Sequence, residues 1–67
     1  AKDDTEAVKW WRLGAEKGQA DAMTNLGVMY EGGRGVAKDI DEAVMWYRKA
    51  KEQGQELATK NLSRLGR

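Results

Sequence analysis

The 67-residue chain has no cysteine, no histidine, no proline and no phenylalanine. Each absence removes a class of protein. Without cysteine there is no disulfide framework, and without cysteine and histidine together there is no zinc site of the usual ligand type. A Ser-His-Asp or Cys-His catalytic arrangement is excluded by composition alone. Missing proline leaves glycine, with eight residues, as the only strong punctuator. β-Branched residues are few and never alternate, which disfavours strands and leaves a helical composition. No apolar run approaches the length of a membrane span, and no signal-peptide pattern is present in a chain that starts at Ala1 rather than Met. Lack of cysteine is compatible with any compartment, so localisation stays open.

Net charge is nearly absent too. Twelve Lys+Arg face eleven Asp+Glu, a formal charge of +1. A surface of mixed sign suits a soluble chain better than a nucleic-acid or membrane binder. The balance hides an asymmetry: residues 1–31 carry four basic and six acidic groups, and residues 32–67 carry eight and five.

Size is the last shortage. Surface scaling gives roughly 4,200 Å² accessible when folded against roughly 10,900 Å² unfolded, with about 4,000 Å² of the difference apolar. At about 25 cal/mol per Å² burial supplies on the order of 100 kcal/mol, and ordering the chain at about 1.5 kcal/mol per residue costs the same. With no staple available, stability has to come from helix packing or from a neighbouring protein.

What the chain does have is an internal repeat. An offset of 36 pairs Ala1-Lys2-Asp3 with Ala37-Lys38-Asp39, Glu6-Ala7-Val8 with Glu42-Ala43-Val44, and Trp10 and Arg12 with Trp46 and Arg48. It also pairs Gly18-Gln19 with Gly54-Gln55, Ala22 with Ala58, and Asn25-Leu26 with Asn61-Leu62, giving fourteen identities in 31 pairs. A fixed period of this length is the mark of a solenoid.

Each period reads as two helices. Asp3 and Asp39 stand where N-caps belong, each with a glutamate three residues on (Glu6, Glu42), a capping-box arrangement that predicts helix starts near residues 4 and 40. Ala7, Trp10-Trp11 and Gly14, matched by Ala43, Trp46-Tyr47 and Ala50, recur at three-and-four spacing and predict a core face. Gly18 and Gly54 are C′ stops, so each hairpin is antiparallel. Ala22, Leu26 and Tyr30 give the next helix its buried stripe, with Gly27 for a tight contact, and the segment 32–36 ends it.

These residues resemble the Sel-one-like repeat, a relative of the tetratricopeptide repeat. The pattern is carried by Ala22, Leu26-Gly27, Tyr30, Gly33, Gly35-Val36, Asp39, Ala43, Trp46-Tyr47, Ala50 and Gly54, all in register. Departures are Ala37 where proline is common, Gly14 and Lys51 for alanine, Ser63 for glycine and Gly66 for tyrosine; the last two suggest a closing helix. The resemblance implies an all-α superhelical solenoid of about four antiparallel helices, a fragment of a longer array. It is divided as the second helix of a preceding repeat (4–18), a full repeat (19–54) and a closing helix (55–67). Insert-poor repeats with bare Ala and Gln have a bacterial look.

Candidate chemistry is weak throughout. The acids Asp3, Asp4 and Glu6 complement a helix N-terminus more simply than they hold a metal. Glu31-Gly32-Gly33-Arg34-Gly35 is glycine-rich but follows a helix and lacks the Gly-Lys-Ser/Thr of a phosphate loop. Ser63 is the only serine, with no histidine to activate it. Trp10-Trp11 and Trp46-Tyr47 lie on the small-residue face, and Arg48, Lys49 and Lys51 read as a solvated face. No catalytic residue, cofactor or metal is expected, and the chain reads as a non-enzymatic scaffold.

In the repeat class it resembles, the first helix of each pair lines a concave side, which implies a groove along residues 20–31 and 56–67. The stripe left after the core positions is Asp21, Thr24, Val28, Glu31, matched one period on by Leu57, Lys60, Arg64 and Arg67. A peptide or protein partner is expected there, with Val28 and Leu57 in apolar contact and Lys60 and Arg64 selecting a carboxylate. The alternative is a structural one: self-association through residues 4–17, where Val8 and Trp11 would lack a covering helix.

Overall fold

A computed structural model of the chain describes residues 2–67, Lys2 by its backbone alone; Ala1, the first residue of the expected segment, lies outside them. Four helices follow one another, α1 (Lys2–Glu16), α2 (Ala20–Gly32), α3 (Ile40–Glu52) and α4 (Glu56–Arg64). No strand occurs among the described residues, so the fold is all-α as the composition and period require.

The start of α3 shows why the sequence turns helical there. Asp39 is extended (φ −154°, ψ 98°) and its carboxylate accepts the Glu42 N–H at 3.0 Å. Its own N–H is already bound, donating to the Tyr30 carbonyl at 2.9 Å. The second half of the expected capping box is therefore not made, and Glu42 Oε2 instead accepts from Trp46 Nε1 at 3.2 Å. One period earlier, Glu6 Oε2 accepts from Trp10 Nε1 at 3.1 Å. The repeat thus preserves an i, i+4 Glu–Trp bond, not a reciprocal cap. Asp3 corrects the expected boundary: α1 runs from Lys2, so Asp3 sits within the first turn. No hold like the Tyr30 carbonyl on Asp39 is present at Asp3 among the described residues.

Both helix hairpins close by the same device. Gly18 and Gly54 each adopt φ +86°, and the residue after each donates five residues back, Gln19 to Gly14 O and Gln55 to Ala50 O, both at 3.1 Å. This is a Schellman ending, and the left-handed residue it requires is nearly free of strain only for glycine. The longer segment between α2 and α3 is held onto α1. Arg34 pairs with Asp4 at 3.0 Å, and Gly35 approaches the Asp4 carbonyl so closely that a Cβ would lie 2.5 Å from its oxygen.

Each helix packs on its neighbours in sequence. Small residues set the separations. Gly14 faces Ala22, and Gly27 faces the Tyr47 ring, where an added Cβ would stand 2.5 Å from Cε1. Leu26, Ala43, Tyr47, Ala50 and Ala58 are fully covered at the centre. No buried side-chain polar atom lacks a partner among the described residues. The Cα radius of gyration, 10.8 Å, is that of a compact domain of this length, about 11 Å.

Trp10 departs from expectation. It is 59% exposed, whereas Trp46, its equivalent one period on, is 8% exposed. The two make the same bond to glutamate, so the difference lies in their surroundings. A helix hairpin precedes α3 and none precedes α1 among the described residues. Trp11 is half-buried against the core, and Val8, expected to lack cover, is buried in it with Ala15.

Candidate interaction surface

Two bridges fix how α2 and α4 lie. Near their starts, Gln55 Nε2 donates to Asp21 Oδ1; near their ends, Arg64 Nη1 lies 2.7 Å from Glu31 Oε2 and Arg64 Nη2 donates to Glu31 Oε1 at 2.8 Å. Start meets start and end meets end, so the two helices run parallel.

The expected stripe divides on this frame. Asp21 is exposed and tied to Gln55, Leu57 is 51% exposed, and Lys60 is exposed. Val28 is half-buried against the core. Thr24 is a correction: it is 2% exposed and its hydroxyl donates to the Ala20 carbonyl at 3.1 Å, so it cannot touch a partner. The reason is that α2 is flanked by both α1 and α3, which widens its buried arc beyond one stripe. Arg64 and Glu31 are brought into contact with each other, and Arg67 reaches Asp41 at 3.5 Å.

The Glu31–Arg64 pair has a third member that the sequence did not flag. The Tyr47 hydroxyl donates to Glu31 Oε1 at 2.7 Å, which anchors the surface to the fully buried ring beneath it. Arg64 holds the Glu31 carboxyl below its usual range, assisted by Tyr47 and opposed by partial burial. Burial first, and then the bond to Glu31, push the Tyr47 phenol well above its ordinary value. Arg64 is held protonated by Glu31. Sixteen residues separate Tyr47 from Glu31 and 33 separate Arg64 from it, so no local spacing rule reports the cluster.

No group of His, Cys, Asp and Glu suited to a metal ion occurs among the described residues. Among them, no helix is long and apolar enough to cross a membrane.

The family model for the Sel1 repeat matches residues 1–19 and again residues 20–55. The chain belongs to the Sel1 repeat family. A Sel1 repeat protein from Oxalobacter formigenes, known from its crystal structure, is 44% identical and superposes with a TM-score of 0.87 over 91% of this chain. The alignment covers 25% of that protein, so this chain spans about a quarter of its length. None of the curated proteins matches. The bacterial source of the structural relative fits the bacterial look of the sequence. Sel1 repeats are non-catalytic helical repeats that generally serve protein–protein interaction.

Proposed function

We propose that this Sel1 repeat segment is a scaffold that receives a peptide or protein partner along the surface shared by α2 and α4. The observation that carries the reading is the pair of bridges, Asp21–Gln55 and Glu31–Arg64, which joins the two half-stripes into one continuous strip. Leu57 and Val28 supply apolar contact, and Lys60 supplies a cation with no ion pair among the described residues. Arg64 serves differently. Its charge is engaged by Glu31, so it shapes the strip, and Lys60 is the group that selects a carboxylate on the partner. Lys60→Glu is the direct test on an identified partner: a fall of about tenfold or more in affinity supports the reading, and unchanged affinity removes it.

A second reading is favoured by one observation, the exposed indole of Trp10. A second copy covering α1 through residues 4–17 would bury it, forming a homo-oligomer. Sedimentation across a hundredfold range of concentration, with Trp10→Ala beside the parent chain, tests this. A concentration-dependent dimer lost in the variant supports it, and a monomer throughout removes it.

A further inference from the structure

A groove of about 310 Å³ opens against α1, lined by Thr5, Val8, Lys9, Arg12, Leu13 and Gly35. None of these residues belongs to the α2/α4 strip. The groove combines an apolar floor with a cationic rim: Val8 is buried at its base, Leu13 is 43% exposed at one end, and Lys9 and Arg12 stand one turn apart on α1. At i, i+3 spacing two side chains lie within about 6 Å of each other, close enough to share one anion.

Both cations are available. Neither forms an ion pair with a carboxylate among the described residues. Arg12 is instead pinned by Tyr30, donating to its hydroxyl at 2.8 Å and lying 5.7 Å from its ring centroid. That contact fixes the guanidinium while leaving most of its five donors unused. Of the acids on α1, Asp4 is paired with Arg34 and Glu6 accepts from Trp10, and Glu16, one turn beyond Arg12, forms no ion pair among the described residues. Gly35, seated on the Asp4–Thr5 backbone, closes one side without adding charge.

The corresponding face of α3 shows that stacking does not cover this place. Asp41, Met45, Arg48 and Lys49 occupy the equivalent positions and stay exposed, although α3 is packed by α2 and α4. There an acid, Asp41, replaces Thr5, which spoils the site for an anion. The groove is open to solvent rather than enclosed, and at about 310 Å³ it is at the low end for a ligand pocket, matching roughly one large side chain with its carboxylate.

We propose that this groove is a second recognition site that takes the C-terminal residue of a peptide. The apolar side chain lies on Val8 and Leu13, and the terminal carboxylate rests between Lys9 and Arg12. A chain end brings its own carboxylate to the cationic rim, which a passing apolar segment does not.

Amide-resolved NMR titration of the 67-residue chain with N-acetyl-Ala-Ala-Leu, its C-terminal amide, and octanoate tests the proposal. The free acid is expected to shift Lys9, Arg12, Leu13 and Gly35, and to bind at least tenfold more tightly than the amide. Lys9→Glu, a surface change that leaves the Arg12–Tyr30 contact alone, is expected to lose at least tenfold while keeping the dispersed spectrum of the folded chain. Equal binding of acid and amide, shifts confined to the α2/α4 strip, no shift at millimolar peptide, or octanoate binding as tightly as the peptide would each overturn it.

Discussion

Gly27 lies flat against the ring of Tyr47, and a Cβ built on Gly27 would stand 2.5 Å from Cε1 and 2.8 Å from Cδ1. The contact of α2 with the Tyr47 ring of α3 therefore depends on one missing methyl group. Gly27→Ala gains about 1 kcal/mol in helix propensity but has to displace a fully buried ring, and overpacking of this kind costs about 1–3 kcal/mol. Net destabilisation is expected in urea unfolding of the single variant. In a Tyr47→Ala background the same change is expected to be neutral or stabilising, because the ring it strikes is gone.

The Tyr47–Glu31–Arg64 cluster gives a pH signature. Glu31 has a folded-state pKa below its unfolded value, so its contribution to stability is present above about 4.5 and is lost as pH falls through the folded value. Glu31→Gln is expected to cost about 1 kcal/mol at neutral pH, a figure set by the partial exposure of the pair, and progressively less towards pH 3. Tyr47 runs the other way. Its raised pKa favours folding below pH 10, and that contribution is lost only in strong alkali. Unfolding free energies of parent and variant measured from pH 3 to 7 check the first claim, and a pH-independent gap would contradict it.

Trp10 and Trp46 separate a shared bond from shared burial. Trp46→Ala is expected to cost about 3–5 kcal/mol, enough to unfold a marginal chain, whereas Trp10→Ala is expected to stay within about 1 kcal/mol. Circular dichroism of the two variants decides it. Acrylamide is expected to quench Trp10 far more readily than Trp46 in single-tryptophan variants.

The two aspartates one period apart should also differ. Asp39→Ala removes the carboxylate that accepts the Glu42 N–H and is expected to cost about 1 kcal/mol. Asp3→Ala removes only a charge near the N-terminus of α1, worth about 0.3–1 kcal/mol and screened by salt. Thermal unfolding at low and at 0.5 M salt distinguishes them, since only the Asp3 effect is expected to fade.

Much of the architecture was legible because it is written locally. The cap at Asp39 and the glycines at 18 and 54 act within a few residues, and the 36-residue echo repeats such signals in register, so a linear reading finds them. The surface was only partly legible, because it depends on what packs beside each helix. Thr24 sits on the right turn of α2 but is covered, since two neighbours flank that helix. Trp10 carries the same residue type and the same glutamate bond as Trp46, yet exposure depends on what packs beside each helix: among the described residues α3 is flanked by α2 and α4, and α1 by α2. The link from Tyr47 through Glu31 to Arg64 spans two helix–helix contacts, and no spacing rule reaches that far.

The measurement that most directly tests the proposed role is NMR mapping of a peptide selected for binding from a random library displayed against the folded chain. Shifts clustered at Asp21, Val28, Leu57 and Lys60, and abolished by Lys60→Glu, are the predicted result. Shifts confined to α1, or a selection that yields no binder, would contradict the assignment of the α2/α4 strip as the partner surface.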